Sequence, residues 1–242
     1  MSNTPIDVLE SYKSFLKKNK PPAYLKKLKD IEKDNSDGAI FEAIVYSILQ
    51  SFKIFTEIGD NPKSGGTDFI CKVNNHPFSC EATIINNIAM ERQTRLKHDQ
   101  RKNTGGFFQP YQEISSKLEN KVKQLSRNDD PGIVFIGTFH NESRMILLEQ
   151  MADWYLSSFL NKNLQEISAF ILVGINIDTY SMMGFLNPKP KCSFDIKWLP
   201  GITFRKMTKE GLEGGNSEGE WTNTKDSSRP SFSDHPLQLV NS

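Results

Sequence analysis

Disulfide chemistry has little to work with in this chain, whose 242 residues include three cysteines, Cys71, Cys80 and Cys192. An odd count without framework spacing points to reduced thiols and an expected cytoplasmic setting. Histidine is also sparse. His76, His98, His140 and His235 show no zinc-ligand spacing with one another or with the cysteines. Long apolar runs are missing, and none approaches the roughly 20 residues of a membrane helix, so no membrane association is expected. The opening MSNTPIDVLESYKSFLKKNK carries charges throughout and lacks the apolar stretch of a signal peptide. No charge of one sign dominates. The net charge of +1 argues neither for nor against nucleic acid as a partner.

What the chain does have is core-forming material. Hydrophobic residues make up 37%, with 16 phenylalanines, enough for one well-formed core. Up to about residue 35 the pattern reads as two short helices separated by Pro21-Pro22, with Ile6, Leu9, Tyr12, Phe15 and Leu16 at helical spacing. Lysines fill the polar positions (Lys13, Lys17, Lys18, Lys20, Lys26, Lys27, Lys29, Lys33) and read as a solvated face. Ser36 and Asp37 are candidate caps for GAIFEAIVYSILQSF, a helix apolar almost all round whose single charge is Glu42.

IFTEI reads as a strand, followed by turn residues Gly59 to Pro62 and a flexible Gly65-Gly66. Residues 86–108 are polar and basic (Arg92, Arg95, Lys97, Arg101, Lys102) and lead into Phe107 and Phe108, suited equally to backbone contact with base stacking and to a solvated loop. Residues 111–125 are amphipathic. Ile114, Leu118, Val122 and Leu125 form one stripe, and Lys117, Lys121 and Gln124 another. IVFIGTF and AFILVGI are continuously apolar, as buried strands are, with a helix expected over residues 145–160 between them. After Thr208 small polar residues dominate, and a flexible tail is expected. Buried strands alternating with helices imply an α/β fold with a central mixed β-sheet flanked by helices.

The chemistry concentrates in TDFICKVNNHPFSCEATII. Asn74-Asn75 suits a two-residue hairpin turn, since asparagine tolerates left-handed geometry. Val73 then faces His76 and, counting outward, Asp68 faces Glu81. Phe69, Cys71, Val73, Phe78, Cys80 and Ala82 share the apolar face. Asp68, Ile70, Lys72, Ser79, Glu81 and Thr83 share the other. Opposed residues on a hairpin have Cβ atoms about 4.5–5.5 Å apart, so two carboxylates there repel each other unless a divalent cation joins them. A pair on a solvated face is the alternative that the residues alone leave open.

The run GGTDFICKVNNHPFSCEAT resembles the core motif of the PD-(D/E)xK, or restriction-endonuclease-like, nucleases. That family carries an Asp on one hairpin strand and Glu-x-Lys about a dozen residues on. Glu42 matches the additional acidic residue of the preceding helix. YQEISSKLENKVKQL and DDPGIVFIG look like the helix and strand completing an αβββαβ core. The resemblance spans roughly residues 37–139. It implies Mg²⁺ (or Mn²⁺) held by Asp68, Glu81 and the Ala82 carbonyl, with Glu42 behind them or at a second ion, and hydrolysis of DNA phosphodiester bonds in restriction, phage defence or repair.

Two departures stand out. Thr67 occupies a position where the family often has proline. Thr83 occupies the lysine position, and a threonine cannot supply the cation that positions the attacking water and stabilises phosphate charge. Lys72 and Lys121 are the candidate replacements, with Lys63 a weaker third, and Gln124 is a candidate to orient phosphate or water. The expected division is a helical extension over 1–35, a nuclease domain over 36–206 and a tail over 207–242. DNA is the expected partner, and a homodimer is left open. The alternative is a catalytically inactive nuclease-fold protein that binds nucleic acid or another protein.

Overall fold

The computed structural model describes residues 2–19, 22–33, 36–59, 66–94, 111–127, 129–140, 146–160, 163–215, 218–222 and 234–240. Two helices come first, α1 (Pro5–Lys18) and α2 (Pro22–Lys33), as the proline pair predicts. Thr4 caps α1 in a reciprocal capping box with Asp7, which satisfies otherwise orphaned backbone N–H groups. The next helix, α3 (Asp37–Ser51), is buried without a break from Ile40 to Leu49. It lies between α1 and the sheet, which is why its sequence shows no polar face.

Strand β1 (Phe55–Ile58) leads to β2 (Phe69–Val73) and β3 (His76–Ile84). Asn74 and Asn75 take φ of 48° and 68° at the hairpin tip, the left-handed pair that a tight two-residue turn requires. The register is the expected one: Val73 faces His76 and Phe69 faces Cys80. Beyond it lie α4 (Asn87–Thr94), α5 (Tyr111–Leu125), β4 (Gly132–Thr138), α6 (Ala152–Leu160), β5 (Ala169–Ile175) and β6 (Thr179–Leu186). The chain continues through β7 (Phe204–Met207), α7 (Lys209–Glu213), β8 (Gly219–Trp221) and β9 (His235–Pro236).

The strands form one mixed sheet in the order β1 to β8, with β9 alongside β6. β1, β2 and β3 are antiparallel neighbours, and β3, β4 and β5 run parallel. Both faces are covered. Ile133, Phe135 and Ile171 pack with α1, α2 and α3, while Val134, Ile136, Phe170 and Leu172 pack with α4, α5 and α6. Alternate residues of β4 and β5 therefore feed two separate cores, so both strands read as unbroken apolar runs. The expected mixed α/β architecture is what the structure has. No helix among the described residues is long and apolar enough to cross a membrane.

Several expectations need correction. The helix expected over residues 145–160 begins as α6 only at Ala152, and β6 had no distinct signal of its own. Residues 234–240 belong to the body of the fold. Leu237 and Val240 are buried there, the Gln238 carbonyl accepts from the Ser47 hydroxyl, and the Val240 N–H donates to Ser11 Oγ. The 1–35 segment is likewise no appendage, because Val8, Leu9, Tyr12 and Leu16 are wholly buried in the same core as α3.

Candidate active site

The site forms where β2 begins. Asp68 sits in a bend immediately before Phe69. The partner strand β3 continues past that point, so the Ala82 N–H has no β2 backbone to bond. Asp68 supplies the acceptor: its Oδ2 takes the Ala82 N–H at 2.9 Å. One side chain thus finishes the ladder and is fixed beside Glu81.

Glu81 pairs with Val134 across the parallel β3–β4 ladder and so projects toward α5. It is 0% exposed. Lys121, on the polar stripe of α5, comes down to it with Nζ 2.6 Å from Glu81 Oε2 and 3.9 Å from Asp68 Oδ2. The other oxygen, Glu81 Oε1, is buried and has no hydrogen-bond partner among the described residues. An orphaned buried acceptor is uncommon and asks for a donor or a cation.

The opposite face of the sheet contributes its own set. Glu42 of α3 accepts from the Tyr12 hydroxyl at 3.1 Å through Oε1 and pairs with Lys27 at 2.6 Å through Oε2. The Lys27 Nζ also lies 3.6 Å from Asp68 Oδ1. Asp68 therefore meets one ammonium from each side of the sheet.

Comparison of the chain with family models, curated proteins and solved structures finds no match. Burial pushes the Glu81 carboxyl up to about 8 and Asp68 adds to the rise, while Lys121 pulls against both. Burial likewise raises Glu42 to about 7 against the pull of Lys27. Carboxyls held near neutrality can keep or lose a proton at working pH, a property found at catalytic sites and also in buried ion-pair networks. When all five groups are ionised, three carboxylates against two ammoniums give a net charge of −1.

No group of three or more His, Cys, Asp or Glu residues among those described is disposed to hold a metal ion. Magnesium, however, is commonly held by one or two carboxylates with water and substrate phosphate completing the shell. Asp68 and the unpartnered Oε1 of Glu81 fit that smaller requirement.

Of the expected residues, Glu42, Asp68, Glu81, Ala82 and Lys121 come together here. Thr83 follows on the Glu81 face, half-buried and paired with Ile136. Gln124 is half-buried on α5 and takes part in none of these bonds. Lys72 is exposed near the hairpin tip, four residues along β2 from Asp68, and stays outside the cluster. Lys63 and the basic run from Arg95 to Phe108 lie outside the described residues. The sequence reading missed Tyr12 and Lys27. The lysine pattern places Lys27 on a solvated face, yet its side chain is only 12% exposed. The available signal was Glu42 itself, since a lone carboxylate in a buried helix needs a partner.

Proposed function

We propose that this chain is a metal-dependent nuclease of the PD-(D/E)xK type in which Lys121 takes over the role of the missing motif lysine. The supporting observation is that the Lys121 ammonium lies 2.6 Å from Glu81 and 3.9 Å from Asp68 although it comes from a different element. The run α3, β1, β2, β3, α5, β4, with α4 inserted before α5, is in keeping with the αβββαβ order of that family.

Asp68 and Glu81 would hold Mg²⁺ or Mn²⁺, with the Ala82 carbonyl as a further oxygen. A bound divalent cation would neutralise phosphate charge and make a water acidic enough to attack. The chain's own groups do the rest. The Ala82 N–H fixes the Asp68 carboxylate. Lys121 presents a positive charge beside both carboxylates, where charge on a phosphate would build up. Glu42, with both oxygens engaged, acts behind Asp68 through Lys27. DNA as substrate follows from the resemblance.

The test is incubation of the purified chain with supercoiled plasmid and single-stranded DNA in Mg²⁺ or Mn²⁺. Cleavage is expected, with its loss in Asp68→Asn and Lys121→Met. Cleavage that survives in Asp68→Ala/Glu81→Ala would falsify the reading. The second reading, a nuclease fold without catalysis, draws on the fact that Lys121 already satisfies one Glu81 oxygen. It predicts nucleic-acid binding without cleavage in the wild type.

A further inference from the structure

Both oxygens of Glu42 are engaged within the protein, Oε1 by the Tyr12 hydroxyl and Oε2 by Lys27. Its bonds hold Lys27 in one place. The Lys27 stem emerges from α2 and its ammonium ends between Glu42 Oε2 and Asp68 Oδ1, at 2.6 and 3.6 Å. Tyr12, wholly buried on α1, fixes the carboxylate from the other side. Asp68 is then held at both oxygens: Oδ1 faces Lys27, and Oδ2 takes the Ala82 N–H with Lys121 nearby.

We infer that Lys27 is a positioning residue for Asp68, aimed by a Tyr12–Glu42 relay, so that helices α1 and α2 form a wall of the site. For cleavage this role rests on the nuclease reading above, while the orientation of Asp68 can be followed without it.

Lys27 could serve merely to satisfy the buried Glu42, and the experiment separates the two roles. Lys27→Met leaves Glu42 uncompensated, and a loss of stability there decides nothing by itself. Lys27→Met/Glu42→Gln removes both charges and keeps an acceptor for Tyr12. The amide exchange of Ala82, followed by NMR, reports whether Asp68 still holds that N–H. A charge-assisted contact fixing Asp68 is expected to protect this amide by roughly tenfold or more. The expected result is a double variant that melts near wild type, exchanges Ala82 at least about tenfold faster and loses cleavage, with protection restored in Lys27→Arg. A double variant with wild-type melting, Ala82 protection and cleavage overturns the inference. A wild-type chain that cleaves nothing, while Ala82 exchange responds as described, overturns the nuclease reading and leaves the positioning role standing.

Discussion

Replacing Glu81 with Gln should flatten the dependence of stability on pH. In the folded chain burial and Asp68 raise the Glu81 carboxyl from an ordinary 4.5 to about 8, net of the pull of Lys121. In the unfolded chain it returns to the ordinary value. Between those two values the folded state holds a proton that the unfolded state has lost. Stability is therefore fully present below about pH 4.5 and falls as pH rises toward about 8. Each tenfold change in proton affinity is about 1.4 kcal/mol, so Glu81 alone should account for a few kcal/mol of that fall. Glu42, raised to about 7, contributes a second fall of the same sign that ends earlier.

Glu81→Gln removes the first contribution and leaves the second. Its amide N–H₂ would take the unpartnered place of Oε1, an unsatisfied donor costing about 1–3 kcal/mol. Absolute stability at one pH is therefore a poor readout, and the slope is the right one. Urea unfolding followed by tryptophan fluorescence, at several values between about pH 5 and pH 8, should give a clear decline in wild type. The decline should be much shallower in Glu81→Gln and nearly absent in Glu42→Gln/Glu81→Gln. A Glu81→Gln profile parallel to wild type would refute the claim that burial raises this carboxyl.

Lysine replacements should separate the two candidates for the missing cation. Lys121→Met is expected to lower cleavage by roughly a hundredfold or more, the scale of losing one positioned charge stabiliser, whereas Lys72→Met, at an exposed hairpin position, should leave plasmid nicking unchanged. Gly137→Ala should destabilise the fold by about 1–3 kcal/mol, because a Cβ there overlaps the Phe41 ring of α3; unchanged urea midpoints would contradict that packing. Deleting residues 234–242 removes the buried Leu237 and Val240, each worth roughly 1.5–3 kcal/mol. A truncated chain that unfolds at the wild-type urea concentration would show that the strap contributes nothing.

The hairpin was legible because its determinants are local. Asn74 and Asn75 supply the left-handed turn, and once its length is two residues every opposed pair follows, Phe69 with Cys80 and, one step out, Asp68 beside Glu81. The α3 helix was legible as buried because, past Asp37 in its first turn, Glu42 is its only charge. β6 and the terminal strap were not legible. Thr179 to Leu186 mixes Tyr, Ser, Met and Gly without alternation, since both of its faces are covered. The segment that carries Leu237 and Val240 is tied down by Ser47 of α3, which bonds Gln238 across 191 residues, and by Ser11 of α1, which bonds Val240 across 229.

The site divides along the same line. Asp68, Glu81 and Ala82 are fixed by one turn, and Lys121 follows from the stripe of a regular helix. Lys27 comes from a segment whose lysines look alike, Lys26, Lys27 and Lys29, each with polar or apolar neighbours that give no reason to single one out. Only the packing of α2 on α1, which itself lies on α3, selects it: Leu28 and Ile31 turn inward, and the Lys27 ammonium reaches Glu42. A buried carboxylate is costly without a cation, so the charge on α3 specifies that a lysine must arrive but not which one. What the sequence holds is the demand at Glu42, and the fold alone determines that meeting it also delivers an ammonium to Asp68.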